Sequence, residues 1–103
     1  MHLTITTGDQ SKICAEFLTS VYLGDDWSSF WNGVRFRVVV DNQNVSSIVY
    51  VVGMSNNFVP VQVKILTDIL SAGEHTIDVQ FYRVTGIPTL MDRSLFVTEL
   101  QTP

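Results

Sequence analysis

Apolar and polar residues alternate along most of this 103-residue chain. In the segment VRFRVVVD the apolar residues fall at Val34, Phe36 and Val38, and Arg35 and Arg37 fall between them. The segments VPVQVKIL and HTIDVQFYRV show the same period of two. Because successive side chains of a strand point to opposite sides, this pattern predicts strands with one buried face and one solvated face.

Segments of this kind fill nearly the whole chain. We place strands near residues 2–7, 11–23, 34–41, 45–53, 58–67, 75–85 and 94–100. Turn residues separate them at 41–44, 55–57 and 71–73, and Pro60 and Pro88 suit a sheet edge or a strand start. With seven to eight strands and no amphipathic helix between them, we expect an all-β, antiparallel β-sandwich, formed by residues 1–103 as one domain.

Two segments are apolar on both sides. In SSIVYVVGM, the residues Ile48, Tyr50 and Val52 alternate with Val49 and Val51. In RSLFVTEL, Phe96 and Leu100 alternate with Leu95 and Val97. A strand that is apolar on both faces needs cover on both faces, and another subunit is the natural source of that cover. We therefore expect the inner positions of the last two strands to form core (Ile77, Val79, Phe81, Leu95 and Val97) and four others to contact a subunit (Tyr82, Val84, Phe96 and Leu100).

The composition is consistent with a protein partner and argues against other classes of partner. Hydrophobic residues make up 46% of the chain and charged residues only 16%, below the roughly 25% of an ordinary soluble domain. The net charge is −4 and the six basic residues are scattered, so we expect no nucleic acid partner. No apolar run is long enough to cross a bilayer, so we expect no membrane partner. The N-terminus lacks a secretion signal, which indicates either that the protein is not exported by the signal-peptide route or that a leader has been removed.

Both tryptophans lie in the segment GDDWSSFWNG. Trp27, Phe30 and Trp31 have the spacing of one helical turn, with Asp26 as its N-cap and Gly33 after its end in a left-handed conformation. The spacing favours an aromatic plug over one end of the sandwich. The alternatives are a contact with a subunit or partner protein and a platform for a sugar.

The chain contains little that points to catalysis. His75 begins a strand and is expected to bond a turn, and Cys14 is expected to be a small buried residue that forms no disulfide. Asp25, Asp26 and Asp41 lack the spacing of a calcium loop, and Asp92 and Arg93 are interpreted as a turn pair before the last strand. We therefore expect no enzyme activity, no metal and no cofactor.

The segment Val59 to Leu100 resembles the C-terminal part of jelly-roll domains of the tumour-necrosis-factor and complement-C1q type, above all the short domains of phage virion and bacterial surface proteins. The features that carry the resemblance are an L-x-A-G-x-H-T turn from Leu70 to Thr76 and the final strand from Arg93 to Leu100. The resemblance covers roughly 40% of the chain and implies jelly-roll topology and a compact homotrimer.

On this basis the expected function is a structural or attachment role on a virus particle. The chain would be a homotrimeric decoration (cement) protein of a phage capsid, or a fibre or receptor-contact domain, and its partners would be itself and a capsid or tail protein. The expected location is the virion, with the extracellular space or a cell surface as the alternative. The alternative function is a carbohydrate-binding module that holds a glycan on Trp27 and Trp31.

Overall fold

A computed structural model describes residues 1–23, 31–54, 57–85 and 88–101, with only the backbone described at 31, 32, 54 and 85. The described chain is all-β, and none of its segments is a helix that could cross a membrane. The eight strands are β1 (His2–Thr7), β2 (Ser11–Tyr22), β3 (Trp31–Val40), β4 (Asn44–Val45), β5 (Val49–Met54), β6 (Phe58–Leu66), β7 (Gly73–Thr85) and β8 (Thr89–Gln101).

The strands form two antiparallel sheets that pack as a sandwich. One sheet has the order β1-β7-β3-β4, with β5 also paired to β3, and the other has the order β6-β2-β8. An eight-stranded jelly roll orders its strands 2-7-4-5 in one sheet and 1-8-3-6 in the other. If β1 is counted as the second strand and β4 is treated as an extension of the β3 hairpin, the two sheets read 2-7-4-5 and 8-3-6. The described strands thus follow jelly-roll order from the second position to the eighth.

The core lies between the sheets and follows the predicted alternation. On β2 every second residue is buried, from Ile13 through Phe17 to Val21. Phe17 meets Phe36 of the opposite sheet with ring centroids 6.1 Å apart. The predicted inward residues of β3 and β6 are all buried as well (Val34, Phe36, Val38, Val40, Val61, Val63 and Ile65). This burial confirms the predicted one-sided strands.

Turns and edges use the residues that the sequence marks for them. Asp41 and Asn42 have φ of 54° and 58°, as in the type I′ turns that join antiparallel strands, and Val40 then pairs with Asn44. Pro60 lies on β6, an edge strand, and Pro88 directly precedes β8. Both proline predictions are therefore confirmed.

The interpretation of Asp92 and Arg93 as a turn is wrong. They form a bulge inside β8, because Ser94 pairs with Leu18 while Met91 pairs with Ser20. Asp92 has φ of 52°, and the Thr19 hydroxyl donates to the carbonyl of Met91 at 2.7 Å. The bulge interrupts the alternation of polarity, which is why the sequence pattern predicts a start near residue 94 for the strand that begins at Thr89.

Three other expectations also need correction. Phe81 shares the inner side with Val79, yet 56% of its surface is exposed. It lies beyond Asp78, where the register of β1 with β7 ends. Cys14 is only partly buried, on the outward side of β2. Trp31 and Gly33 lie in β3 and the φ of Gly33 is not positive, so the predicted helical turn does not extend to them.

Candidate interaction surfaces

The outer side of the five-stranded sheet carries exposed apolar residues and two arginines. Arg35 pairs with Tyr50 on one side and with Tyr82 on the other, and all three point away from the buried Phe36. Tyr82 is 69% exposed. We call this surface the five-strand face, and its exposed members are Arg35, Arg37, Tyr50, Val52 and Tyr82.

Contacts within the five-strand face hold its arginines in place. The Arg35 guanidinium carbon lies 5.2 Å from the centroid of the Tyr50 ring, and Arg37 Nε donates to Gln80 Oε1 at 2.7 Å. Tyr50 also lies over Gly33, where a Cβ atom would be only 3.0 Å from the tyrosine Oη. The face also borders an open groove of about 620 Å³, lined by Arg35, Phe36, Arg37, Ile48, Val79, Gln80, Phe81 and Tyr82.

The outer side of the three-stranded sheet has a polar centre and apolar margins. Glu16 on the central strand lies 3.8 Å from Lys64 Nζ and accepts a hydrogen bond from Gln62 at 3.0 Å. The apolar residues lie on the two outer strands and at the ends. We call this surface the three-strand face, and its exposed apolar members are Phe58, Leu66, Met91, Phe96 and Leu100.

The four predicted subunit contacts fall on two separate surfaces. Tyr82 belongs to the five-strand face, and Val84 is the additional residue of a bulge opposite Gly33 and Val34. Phe96 and Leu100 belong to the three-strand face, on the opposite side of the sandwich. All four are exposed in the single chain. The structure therefore does not bring them into one patch, and a contact that uses all four must engage both sides of the molecule.

His75 is the most enclosed titratable group among the described residues, with 6% of its surface exposed. Its Nδ1 lies 2.6 Å from Asp41 Oδ2 and its Nε2 lies 2.8 Å from the carbonyl oxygen of Ser71. Asp41 Oδ1 accepts a further hydrogen bond from the amide of Thr76. Above all, the hydrogen bond to Asp41 raises the pKa of His75, and the Ser71 carbonyl acts in the same direction while burial opposes both.

His75 forms hydrogen bonds with two turns, one at Asp41 and one at Ser71. The contact with a turn is the one that its position at the start of a strand predicts. Both ring nitrogens face acceptors, and Nε2 faces a backbone carbonyl where a nucleophile would have to stand in a catalytic triad. Both carboxylate oxygens of Asp41 are occupied as well. Within the described ranges no three histidine, cysteine or acidic side chains come together as a metal site.

The predicted ligand-contact residues cannot be placed as a group. Trp27 and Phe30 lie outside the described residues, as do Asp25 and Asp26, and only the backbone of Trp31 is described, at the first position of β3. The aromatic plug and the sugar platform thus remain predictions. The sequence reasoning also missed Phe58, whose ring centroid lies 4.8 Å from that of Tyr22. The signal that could have found it is the aromatic residue at the start of the strand before Pro60.

Comparison with known proteins adds no relative: no family model, curated protein or solved structure matches the chain. The class is therefore defined by the fold and surfaces alone. The chain is a two-sheet antiparallel β-sandwich with jelly-roll strand order and exposed apolar residues on both outer faces.

Proposed function

We propose that this chain is a non-enzymatic structural or interaction protein that self-associates as a homotrimer and decorates a virus particle, where it contacts capsid or tail proteins. The observation that carries the proposal is the exposure of large apolar side chains on both outer faces of the sandwich, with Tyr82 on one face and Phe96 on the other. Exposed apolar patches of this kind are typical of surfaces that bind another protein.

The two faces differ in composition, which a ring requires and a simple two-fold pair does not. A dimer with two-fold symmetry uses the same surface on both subunits, whereas a ring joins one surface of each subunit to a different surface of the next. The five-strand face carries arginines and tyrosines, and the three-strand face carries Phe96 beside acidic Glu16 and Leu100 beside Lys12. Two unlike surfaces on each copy are what a cyclic trimer needs.

Light scattering on the size-fractionated protein tests the trimer, whose mass is three times the 11.6 kDa of the chain. Tyr82→Asp and Phe96→Asp each place a charge in one of the two faces, and each is expected to dissociate the trimer. Thr4→Asp is the matched control, since it adds the same charge at an exposed outward position of β1. A wild-type monomer at high concentration, or a trimer that survives both substitutions, contradicts the proposal.

The place on a virus particle rests on the resemblance of residues 59–100. The genes that flank this one test it directly. Genes for capsid and tail proteins on both sides are expected, and a neighbourhood of metabolic genes would contradict the virion location while leaving the trimer untouched.

A further inference from the structure

One sheet edge of this sandwich is long and open. β8 pairs with β2 through one edge, and among the described residues no strand pairs with its other edge. This is the side on which an eight-stranded jelly roll has its first strand, a position that none of the described strands fills. From Ser94 to Gln101 the free edge contains neither a proline nor a bulge.

The other described edges are either interrupted or shorter than the eight-residue stretch from Ser94 to Gln101. β6 carries Pro60, which donates no backbone hydrogen bond, and β1, β4 and β5 are short, with six, two and six residues. The part of β7 that extends beyond β1 carries a bulge at Val84. An unprotected edge is a template for an added strand, so β8 is the place where this molecule offers one.

The core is also incompletely closed beside β8. Its inward residues Leu95 and Val97 are only partly buried, whereas Ala15 and Phe17, which pair with them on β2, are almost completely buried. On the opposite sheet the inward Leu3 of β1 is exposed. A strand added to β8 would cover the apolar margin of the core at Leu95 and Val97.

The sequence of β8 matches a second copy of itself. The residues of the segment RSLFVTE are arranged symmetrically about Phe96. The adjacent residues on both sides are aliphatic (Leu95 and Val97), the next are hydroxyl residues (Ser94 and Thr98), and the outermost carry opposite charges (Arg93 and Glu99). In an antiparallel pair with its two-fold axis at Phe96, the residues from Ser94 to Thr98 lie opposite their counterparts in the second copy, and Arg93, the last residue of the bulge, lies at the end of the pair near Glu99. Like therefore meets like, and opposite charges come together at the ends.

The charges at the ends of this segment are placed for such a contact. Glu99 Oε1 accepts hydrogen bonds from the amide of Gly8 at 2.7 Å and the hydroxyl of Ser11 at 2.9 Å, which fixes the carboxylate at the C-terminal end of the segment, on its β2 side. Arg93 is exposed and forms no ion pair with any described residue. The fixed anion and the unpaired cation complement each other across the axis.

We infer that the open edge of β8 pairs antiparallel with β8 of a second copy, with Phe96 on the two-fold axis, Ser94 opposite Thr98, and Arg93 near Glu99 at both ends of the pair. The two three-stranded sheets then form one continuous six-stranded sheet. This contact lies at a sheet edge, goes beyond the proposed trimer and does not depend on it.

Cysteine cross-linking in a Cys14→Ser background tests the register. Adjacent strands hold opposed Cα atoms about 4.5–5.5 Å apart, within the range of a disulfide. A mixture of Ser94→Cys and Thr98→Cys proteins, which keeps Phe96, is expected to form mixed disulfide dimers. In either protein alone, the two cysteines lie about 14 Å apart across the axis, because two positions of about 3.4 Å separate each from Phe96. Leu100→Cys alone, at about 27 Å from its copy, is a further control.

The mixture is expected to cross-link at least about tenfold faster than either protein alone or than the Leu100→Cys control. Equal rates for the mixture and its separate components overturn the register, and the absence of mixed dimers overturns the pairing. Tyr82→Asp, which is designed to break the trimer, is expected to leave the mixed disulfide intact, so the two proposals fail separately.

A charge reversal tests the ion pairs. Arg93→Glu places a carboxylate near Glu99 at both ends of the pair and is expected to weaken the two-fold association about tenfold at low salt, with partial recovery as salt screens the repulsion. Arg83→Glu makes the same charge change at an exposed position of β7. Because Arg83 lies between the proposed trimer contacts Tyr82 and Val84, the two variants are compared in a Tyr82→Asp background. If both variants associate equally, as measured by light scattering over a dilution series, Arg93 takes no part in the contact.

Discussion

Replacement of Asp41 by asparagine is expected to lower stability most at acidic pH, where His75 is protonated. An imidazolium ring donates from both nitrogens, and here both face an acceptor, at 2.6 Å and 2.8 Å. The asparagine side chain keeps an oxygen for the Thr76 amide, and asparagine tolerates the left-handed backbone at this position, where φ is 54°. The substitution therefore removes the negative charge while it keeps the turn.

The sign and size of the effect follow from the raised pKa of His75. Because the pKa is higher in the folded state, the stabilisation is fully present below the unfolded value of about 6.5 and is lost as pH rises through the folded value. A hydrogen bond to a charged group contributes about 1.5–3 kcal/mol. The Asp41 side chain is 29% exposed, so we expect the lower part of this range, about 1.5–2 kcal/mol, near pH 5.5 and a smaller loss near pH 9.

Urea unfolding of the wild type and Asp41→Asn at both pH values measures the difference between the two losses, which cancels the titration of groups elsewhere. The same loss at both pH values, or a larger loss near pH 9, would refute the reasoning. Asp78→Asn is the control, because it breaks the exposed contact with His2, and it is expected to cost less than about 1 kcal/mol.

Three further substitutions test the packing and the backbone. Phe17→Ala empties the centre of the core and is expected to lower the free energy of unfolding by about 3–5 kcal/mol in urea; a loss below about 1 kcal/mol would mean that the two sheets do not meet there. Thr67→Val removes the hydroxyl that accepts from the Ile13 amide at 2.9 Å. It is expected to cost about 1–3 kcal/mol and to speed hydrogen exchange of that amide, which should otherwise stay protected. In Gly73→Ala the new Cβ atom meets no neighbouring atom, but the alanine must adopt the φ of 131° that glycine has here. The free energy of unfolding is therefore expected to fall by about 1–3 kcal/mol, which lowers the midpoint of thermal unfolding. An unchanged midpoint would show that the backbone relaxes.

Alternation predicts much of this fold because side-chain direction in a strand has a period of two whatever the topology. Residues 2–7 were predicted as a strand and form β1, and the inward residues of β3 and β6 are buried as expected. Alternation carries no information on which strands pair. The contact of β8 with β2 joins residues as distant as Ser11 and Gln101, and the jelly-roll expectation came from the resemblance of residues 59–100.

Exposed apolar residues can be predicted from the sequence only in strands that are apolar on both faces. That signal marked Tyr50, Phe96 and Leu100, and all three are exposed. Phe81 shows the limit of the reasoning, because parity fixes its side of the sheet but its burial depends on whether β1 and the facing sheet extend far enough to cover it. The self-complementarity of RSLFVTE is visible in the sequence, yet it has meaning only once β8 is known to be an edge.

The shape of the sandwich explains why so much apolar surface remains exposed. The Cα radius of gyration is 15.7 Å, above the roughly 13 Å of a compact 100-residue domain. Strands of twelve and thirteen residues extend the molecule to 53 Å, while its cross-section is only 21 by 18 Å. A long, narrow sandwich with three strands in one sheet covers its core poorly along the edge of the smaller sheet. A second copy of β8 at that edge would widen the smaller sheet to six strands and cover Leu95 and Val97. The pairing inferred for β8 would then account for part of the apolar surplus of the composition.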